Sequence, residues 1–357
     1  MLLVINRHGC CMPVYLNFSK MMTKLLLALM DLYNITVGRM RMGREILPAY
    51  PELVRLLDSF NNTVPAPDIL FFGDSVLLRI SRDDTDTDTL DRMLFKKMYG
   101  KISLLSIAHT AYHMQVYKNL ISVLDVTKRK PKVVILPINL RSFSPQWDFY
   151  PAWQFRDEIR AIERYLLDPS LEIASVGEVP ATAKLLWLFD AIPVQYPLTE
   201  FNRTGQFRSM IASKPKNEDQ KSYRLRQIFI YHYMHPLAND HPKLKALEEC
   251  VRMLSVLQIP LVLYVTPINW EAGRKYVGWE FTEAVKSNVN MISNRLSRHQ
   301  MDNKVIFGDF STLLEPGCFF RDDNATEHLN QQGRGRLADE IKKMFLELDL
   351  DRNTEVI

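Results

Sequence analysis

The sequence predicts a doubly wound α/β fold: a five-stranded parallel sheet with helices on both faces, and a helical insertion between strands three and four. Three observations predict it. Five short runs are apolar almost throughout rather than alternating, as strands buried on both faces require. Stretches with apolar residues at helical spacing separate these runs, an order that right-handed crossovers convert into a parallel sheet. The spacing is regular except once: strands one to three lie about 30 residues apart, the length of a βαβ unit, whereas about 120 residues separate strands three and four.

Taken in chain order, residues 1–60 read as a lead-in. Its first 20 or so residues, with His8-Gly9-Cys10-Cys11-Met12-Pro13, read as poorly structured, and 20–60 as amphipathic and helical. The apolar run Leu25 to Met30 is soon followed by Asp31 and Asn34. It is far short of the roughly 18 residues of a membrane span, and no small-x-small cleavage site follows it. The expectation is a chain without a transmembrane segment, cytoplasmic in location. The α/β domain then covers 61–350. Its strands are DILFFG (68–73), KISLLSI (101–107), KVVILPI (132–138), IPLVLYVT (259–266) and KVIFGD (304–309). Helices are expected over 112–126, over 244–257 with Leu247, Val251, Leu254 and Leu257 on one face, and over 281–296. A last helix follows Asn330, a natural N-cap, with Leu337, Ile341, Met344, Phe345 and Leu348 on one face. The insertion, 145–240, carries helical pieces (157–167, 183–189, 223–233), proline breaks and many aromatics, and reads as a cap over the sheet edge. Residues 351–357 form a tail.

Composition narrows the partners. At 47% hydrophobic and 24% charged, the chain can bury an ordinary globular core. Lys plus Arg exceeds Asp plus Glu by 45 − 41 = 4, too little and too scattered for nucleic acid. Cys10, Cys11, Cys250 and Cys318 contain no CxxC pair and read as free thiols. No metal or cofactor is called for. His109 and His113 lack a third ligand at suggestive spacing. The DDTDTDT run (83–89) fails as a calcium loop, because Thr89 stands where glycine is needed and Phe95 where glutamate is needed; it reads as a solvated loop. His232, His235 and His241 read as loop residues or part of a substrate wall.

In open α/β sheets ligands bind beyond the carboxyl ends of the strands. There the sequence places Gly73-Asp74-Ser75 after strand one and Ala108-His109-Thr110-Ala111 after strand two. Pro137-Ile138-Asn139 ends strand three, and Thr266-Pro267-Ile268-Asn269 ends strand four. Strand five ends at Asp309, and its loop runs on to His328, just before the last helix. Ser75 and His328 therefore return to one sheet edge. Taken singly, Ser75 could be a helix cap, Asn139 a turn former and His328 a helix-entry residue.

Together these residues resemble the SGNH (GDSL-like) hydrolase family, over most of 66–347 with the insertion outside the common core. The first block, Phe71-Phe72-Gly73-Asp74-Ser75-Val76-Leu77, and the last, His328-Leu329-Asn330-x-x-Gly333, match well. Three departures stand out. The second block has no glycine, only Ala108 to Ala111. The third reads Pro137-Ile138-Asn139-Leu140. The aspartate expected three residues before the histidine is Ala325. The resemblance implies a flavodoxin-like fold and serine acyl transfer. Ser75 is then the nucleophile and His328 the base, and the amides of Ser75 and of Ala111 or a neighbour, with the Asn139 side chain, form the oxyanion hole, Gly73 and Asp74 supporting. Asp323, five residues before His328, is the first choice for the orienting acid and Asp322 the alternative, with Asp309, Glu327 or no acid behind them. The implied activity is an esterase or acyltransferase on O-acyl esters, the substrate a small molecule or a glycan ester. The aromatics after strand three (Trp147, Tyr150, Trp153, beside Arg141) favour a carbohydrate-linked acyl group, or else form the core of the cap. Two alternatives stand: an inactive relative that binds a glycan or partner protein, and a lipase or thioesterase. The sequence gives no oligomeric state.

Overall fold

The computed structural model describes residues 46–98, 102–174, 186–194, 196–298 and 305–348. The chain divides into two units, Met1–Ile46 and Leu47–Ile357, and the second carries everything below. The lead-in up to residue 45 and the tail lie outside the described residues.

Five parallel strands, β1 (Ile69–Gly73), β2 (Leu104–Ala108), β3 (Val133–Ile138), β4 (Leu261–Val265) and β5 (Val305–Asp309), form one sheet in the flavodoxin-like order β2-β1-β3-β4-β5. The apolar code follows from position. The inner strands β1, β3 and β4 are buried at every residue, while the edge strands β2 and β5 are mostly half-buried. Successive strand residues serve opposite faces. Leu70, Phe72, Val134, Leu136, Leu261 and Leu263 join one core cluster; Ile69, Phe71, Val133, Ile135, Val262 and Tyr264 join the other.

Ten helices of eight or more residues are described: α1 (Pro51–Asn61), α2 (Leu90–Lys97), α3 (Met114–Val123), α4 (Arg156–Leu167), α5 (Thr204–Ala212), α6 (Glu218–Tyr233), α7 (Pro242–Val256), α8 (Trp270–Val277), α9 (Trp279–Leu296) and α10 (Gln331–Glu347). Helices α1, α3, α7 and α9 cover the first face, and α2 and α10 the second. The periodicity misses α2, α5 and α8 because each buries only two or three side chains, in α8 the small Ala272 and Gly273. No helix among the described residues is long and apolar enough to cross a membrane.

The strand order fixes where a site can form. From β1 the chain steps outward to β2, then back across to β3 on the other side. The crossovers diverge there and leave a crevice at the carboxyl ends of β1 and β3. Ser75 and Asn139 follow those two strands.

Candidate active site

The turn after β1 is built by its sequence. A β-carbon on Gly73 would lie 2.7 Å from Leu77 Cβ, so only glycine lets the chain fold back this tightly. Asp74 caps the short helical turn Ser75–Leu78, its Oδ1 accepting from the Val76 amide at 2.8 Å. Asp74 Oδ2 accepts from Asn139 Nδ2 at 2.7 Å. One buried carboxylate thus ties the turn after β1 to the turn after β3. Burial raises the Asp74 pKa to about 6, against the opposing pull of its two hydrogen bonds. Asn139 Oδ1 accepts from the Arg141 amide at 3.1 Å, and among the described residues the second hydrogen of its amide group has no acceptor.

After β2 the backbone does what a glycine would do. Ala111 is buried and adopts φ 76°, the left-handed region. Among the described residues neither the Ala111 amide nor the Ser75 amide donates to a protein acceptor.

His328 arrives from the far side of the sheet. Its loop closes as a small hairpin: Phe319 and Leu329 form an antiparallel bridge, and the Phe320 amide donates to the His328 carbonyl at 3.0 Å. The His328 amide donates to Thr326 Oγ1 at 3.1 Å. Asn330 caps α10 by accepting from the Gln332 and Gly333 amides, and its Nδ2 donates to the Gly317 carbonyl at 2.6 Å. A β-carbon on Gly333 would collide with the Cys318 carbonyl oxygen. The His-Leu-Asn-x-x-Gly pattern is therefore a close-packing device as well as a cap. His328 Nε2 lies 3.0 Å from Ser75 Oγ, inside the range for proton transfer. Burial holds the imidazole pKa below its ordinary value; Glu327 opposes that shift, and Arg141 and Arg79 add to it.

The acids expected from spacing are elsewhere. Asp323 faces Lys221 Nζ at 3.6 Å. Asp322 is exposed and engaged through its backbone carbonyl, which accepts from Asn269 Nδ2 at 2.9 Å. Asp309 turns the chain by accepting from the Ser311 amide. Ala325, three residues before the histidine, is partly buried and packs against the core. No carboxylate among the described residues makes a hydrogen bond or ion pair to the His328 ring. Neither Asp323 nor Asp322, the acids expected to orient the ring, is among its partners here: the hairpin tip is drawn toward Asn269 and Lys221.

Glu327 is buried beside His328. Arg141 Nη1 donates to both its oxygens, at 2.8 and 3.0 Å, and the Tyr233 hydroxyl donates at 3.3 Å. Through Tyr233 this cluster brings helix α6 beside His328. The sequence offered Glu327 only as one of several acids and offered no role for Tyr233. Trp153 stacks on Trp147 and meets Tyr150 at a tilt, with ring centroids 4.6 and 4.4 Å away; Trp147 is buried and the other two are half-buried. His232 is buried near the end of α6, and His235 is buried in the loop just past it. His113 Nε2 contacts the Trp153 carbonyl, while His109 is exposed.

No protein-family model matches the sequence, and no curated protein matches it. Solved structures similar to this chain include a catalytic mutant of Axe2, an acetylxylan esterase from Geobacillus stearothermophilus. It is 12% identical, with 79% of this chain and 94% of that chain covered, at a TM-score of 0.37. A provisionally assigned acylhydrolase from Bacteroides fragilis is 10% identical, with 84% of this chain and 96% of that chain covered, also at 0.37. A likeness of this size assigns no activity to the chain.

Proposed function

We propose that this protein is a serine hydrolase, and within that class an SGNH-type esterase or acyltransferase acting on O-acyl esters. The observation that carries the reading is the 3.0 Å approach of His328 Nε2 to Ser75 Oγ, between residues 253 apart in sequence. Ser75 Oγ attacks the ester carbonyl carbon while its proton passes to Nε2. The carbonyl π pair moves to oxygen. The unspent Ser75 and Ala111 amides and the free hydrogen of Asn139 Nδ2 receive that oxyanion, each donor supplying on the order of 3 kcal/mol. As the carbonyl re-forms, the C–O bond to the alcohol breaks and Nε2 returns the proton to the departing oxygen, leaving acyl-Ser75. Water or an acceptor alcohol then repeats the sequence in reverse and releases the serine.

With no carboxylate among the described residues on the ring, the reaction runs on a Ser75–His328 dyad, the backbone of the hairpin setting the imidazole. A fluorophosphonate probe tests the reading. Stoichiometric labelling of the wild type, lost in Ser75→Ala and slowed in His328→Ala, is expected. A wild type that neither labels nor hydrolyses p-nitrophenyl acetate would leave a non-catalytic binding protein as the better account.

A further inference from the structure

The nucleophile and the base come from strands that do not touch. In the sheet, β3 and β4 stand between β1 and β5, so the two catalytic loops start about 14 Å apart at ordinary strand spacing. Sheet pairing cannot set the Ser75–His328 distance, and no carboxylate among the described residues holds the ring. Beyond the packing of α2 on α10, the acidic run 83–89, expected from the sequence to be a solvated loop, joins the two segments next to the dyad.

Arg334, in α10, is fully buried. Its Nη1 donates to Asp84 Oδ2 at 2.7 Å and to the Leu329 carbonyl, next to His328, at 2.9 Å. Its Nε donates to the Asp88 carbonyl and its Nη2 to the Asp86 carbonyl, both at 2.9 Å. The Asp84 carboxylate also accepts from the Ser81 and Gln331 amides, each at 2.9 Å. Gln331 Oε1 in turn accepts from the Thr85 and Asp86 amides at 2.9 and 2.7 Å. One guanidinium therefore grips the segment leaving Ser75 and the segment carrying His328 at once.

We infer that the Asp84–Arg334 pair, with Gln331, is a clamp that positions His328 against Ser75: these are positioning residues for the reaction, acting through the backbone on either side of the dyad. The inference rests on the catalytic reading of Ser75 and His328. A misplacement of about 1 Å in a catalytic group costs on the order of 100-fold in rate, and releasing the clamp frees both loops by at least that much.

The test uses Arg334→Met, which keeps the apolar stem and removes every donor, with Asp84→Asn and Gln331→Ala as milder variants should it fail to fold. Lys286→Ala, at an exposed ion pair to Glu283 away from the clamp, is the control. Fluorophosphonate labelling is followed for both stoichiometry and rate, and the His328 ring is titrated by NMR. The clamp predicts full stoichiometry at a rate lowered roughly 10- to 100-fold, KM for a p-nitrophenyl ester within about twofold, and a His328 titration moved up toward free imidazole as the ring leaves its buried place. Reduced stoichiometry at an unchanged rate would mean a merely structural role and would overturn the inference, as would an unchanged His328 titration in a folded variant. If the wild type does not label at all, the hydrolase reading fails. The NMR titration then decides the clamp alone, a moved ring upholding it and an unmoved ring sinking it.

Discussion

Glu327→Gln is the perturbation that most directly probes how the site is held. The glutamate is 2% exposed and takes Arg141 Nη1 on both oxygens, with Arg141 itself 23% exposed. The substitution preserves shape and removes the charge. Breaking a buried pair from one side costs about 3–5 kcal/mol, because the surviving charge stays buried. Water reaches part of Arg141, so the lower end, about 3 kcal/mol, applies. For a domain of this size the urea slope is near about 3 kcal/mol per molar, so the midpoint should fall by about 1 M. Two further signs are fixed. Glu327's pKa lies below its ordinary value despite a large opposing cost of burial; Arg141 is the main group that lowers it. Its stabilising contribution is therefore present above the ordinary glutamate pKa and lost as pH falls through the folded value; the glutamine variant should lack that loss. Glu327 also raises the His328 pKa, so the acid limb of the labelling rate should move to lower pH. Equilibrium urea unfolding and the pH dependence of fluorophosphonate labelling give both numbers. A midpoint within about 0.3 M of wild type, or an acid limb displaced to higher pH, would refute the account of Glu327 as the charge that holds Arg141 beside the imidazole.

Other outcomes follow from the same geometry. In the wild type the acid limb should fall below the ordinary histidine pKa, since burial holds His328 down, and Arg79→Met should move it up because the Arg79 charge contributes to that depression. Asp323→Asn should leave the labelling rate unchanged and cost under about 1 kcal/mol in urea unfolding, the loss of a partly exposed pair with Lys221. Ala111→Gly should change stability by less than about 1 kcal/mol, relief of the left-handed strain offsetting the entropy of a freer unfolded chain. Ala111→Val should lose about 2 kcal/mol in thermal unfolding and slow labelling, as a β-branched residue resists that φ.

The sheet was legible because its code is local and redundant: an inner strand buried on both faces must be apolar throughout, and five such runs at regular spacing leave little freedom in topology. Ser75, Asn139 and His328 were legible for a related reason. Their places follow from strand ends, and strand ends were the firmest features of the sequence. The orienting acid was not legible, because a loop's course depends on contacts that spacing does not encode. Asn269, in the loop after β4, draws the carbonyls of Asp322 and Asn324 toward itself, and Lys221 in α6 takes Asp323. Arg334 left a signal that went unused. It stands three residues before Leu337 on the stripe that continues through Ile341 and Met344, all buried, and a charged residue on a core stripe requires buried partners. The acidic loop 83–89 and Arg334 are each half of one motif, separated by some 250 residues.

The two buried carboxylates of the site respond to acid in opposite senses, and that opposition can be measured. Glu327 is held ionised by Arg141. Asp74, with its pKa raised to about 6, takes up a proton in the native state before it would in the unfolded chain. Between its ordinary value and about 6 its protonation favours the fold more as pH drops. The cost falls on the chemistry. The ionised Asp74 accepts the Asn139 amide at 2.7 Å, and that charged acceptor fixes the direction of the second Nδ2 hydrogen, the one proposed to meet the oxyanion. Protonation weakens the tie while His328 is itself gaining a proton, so the acid limb of the labelling rate should need two ionisations to fit. Asp74→Asn removes the first of them. It retains one of the two hydrogen bonds at that position, since an amide oxygen cannot accept from both Val76 and Asn139 along the directions the carboxylate used, and the lost bond costs about 1 kcal/mol. Its profile should reduce to a single ionisation, that of His328, at a lower plateau. A wild-type limb described by one ionisation, and unaltered in Asp74→Asn, would show that Asp74 only shapes the turn and has no hold on the oxyanion donor.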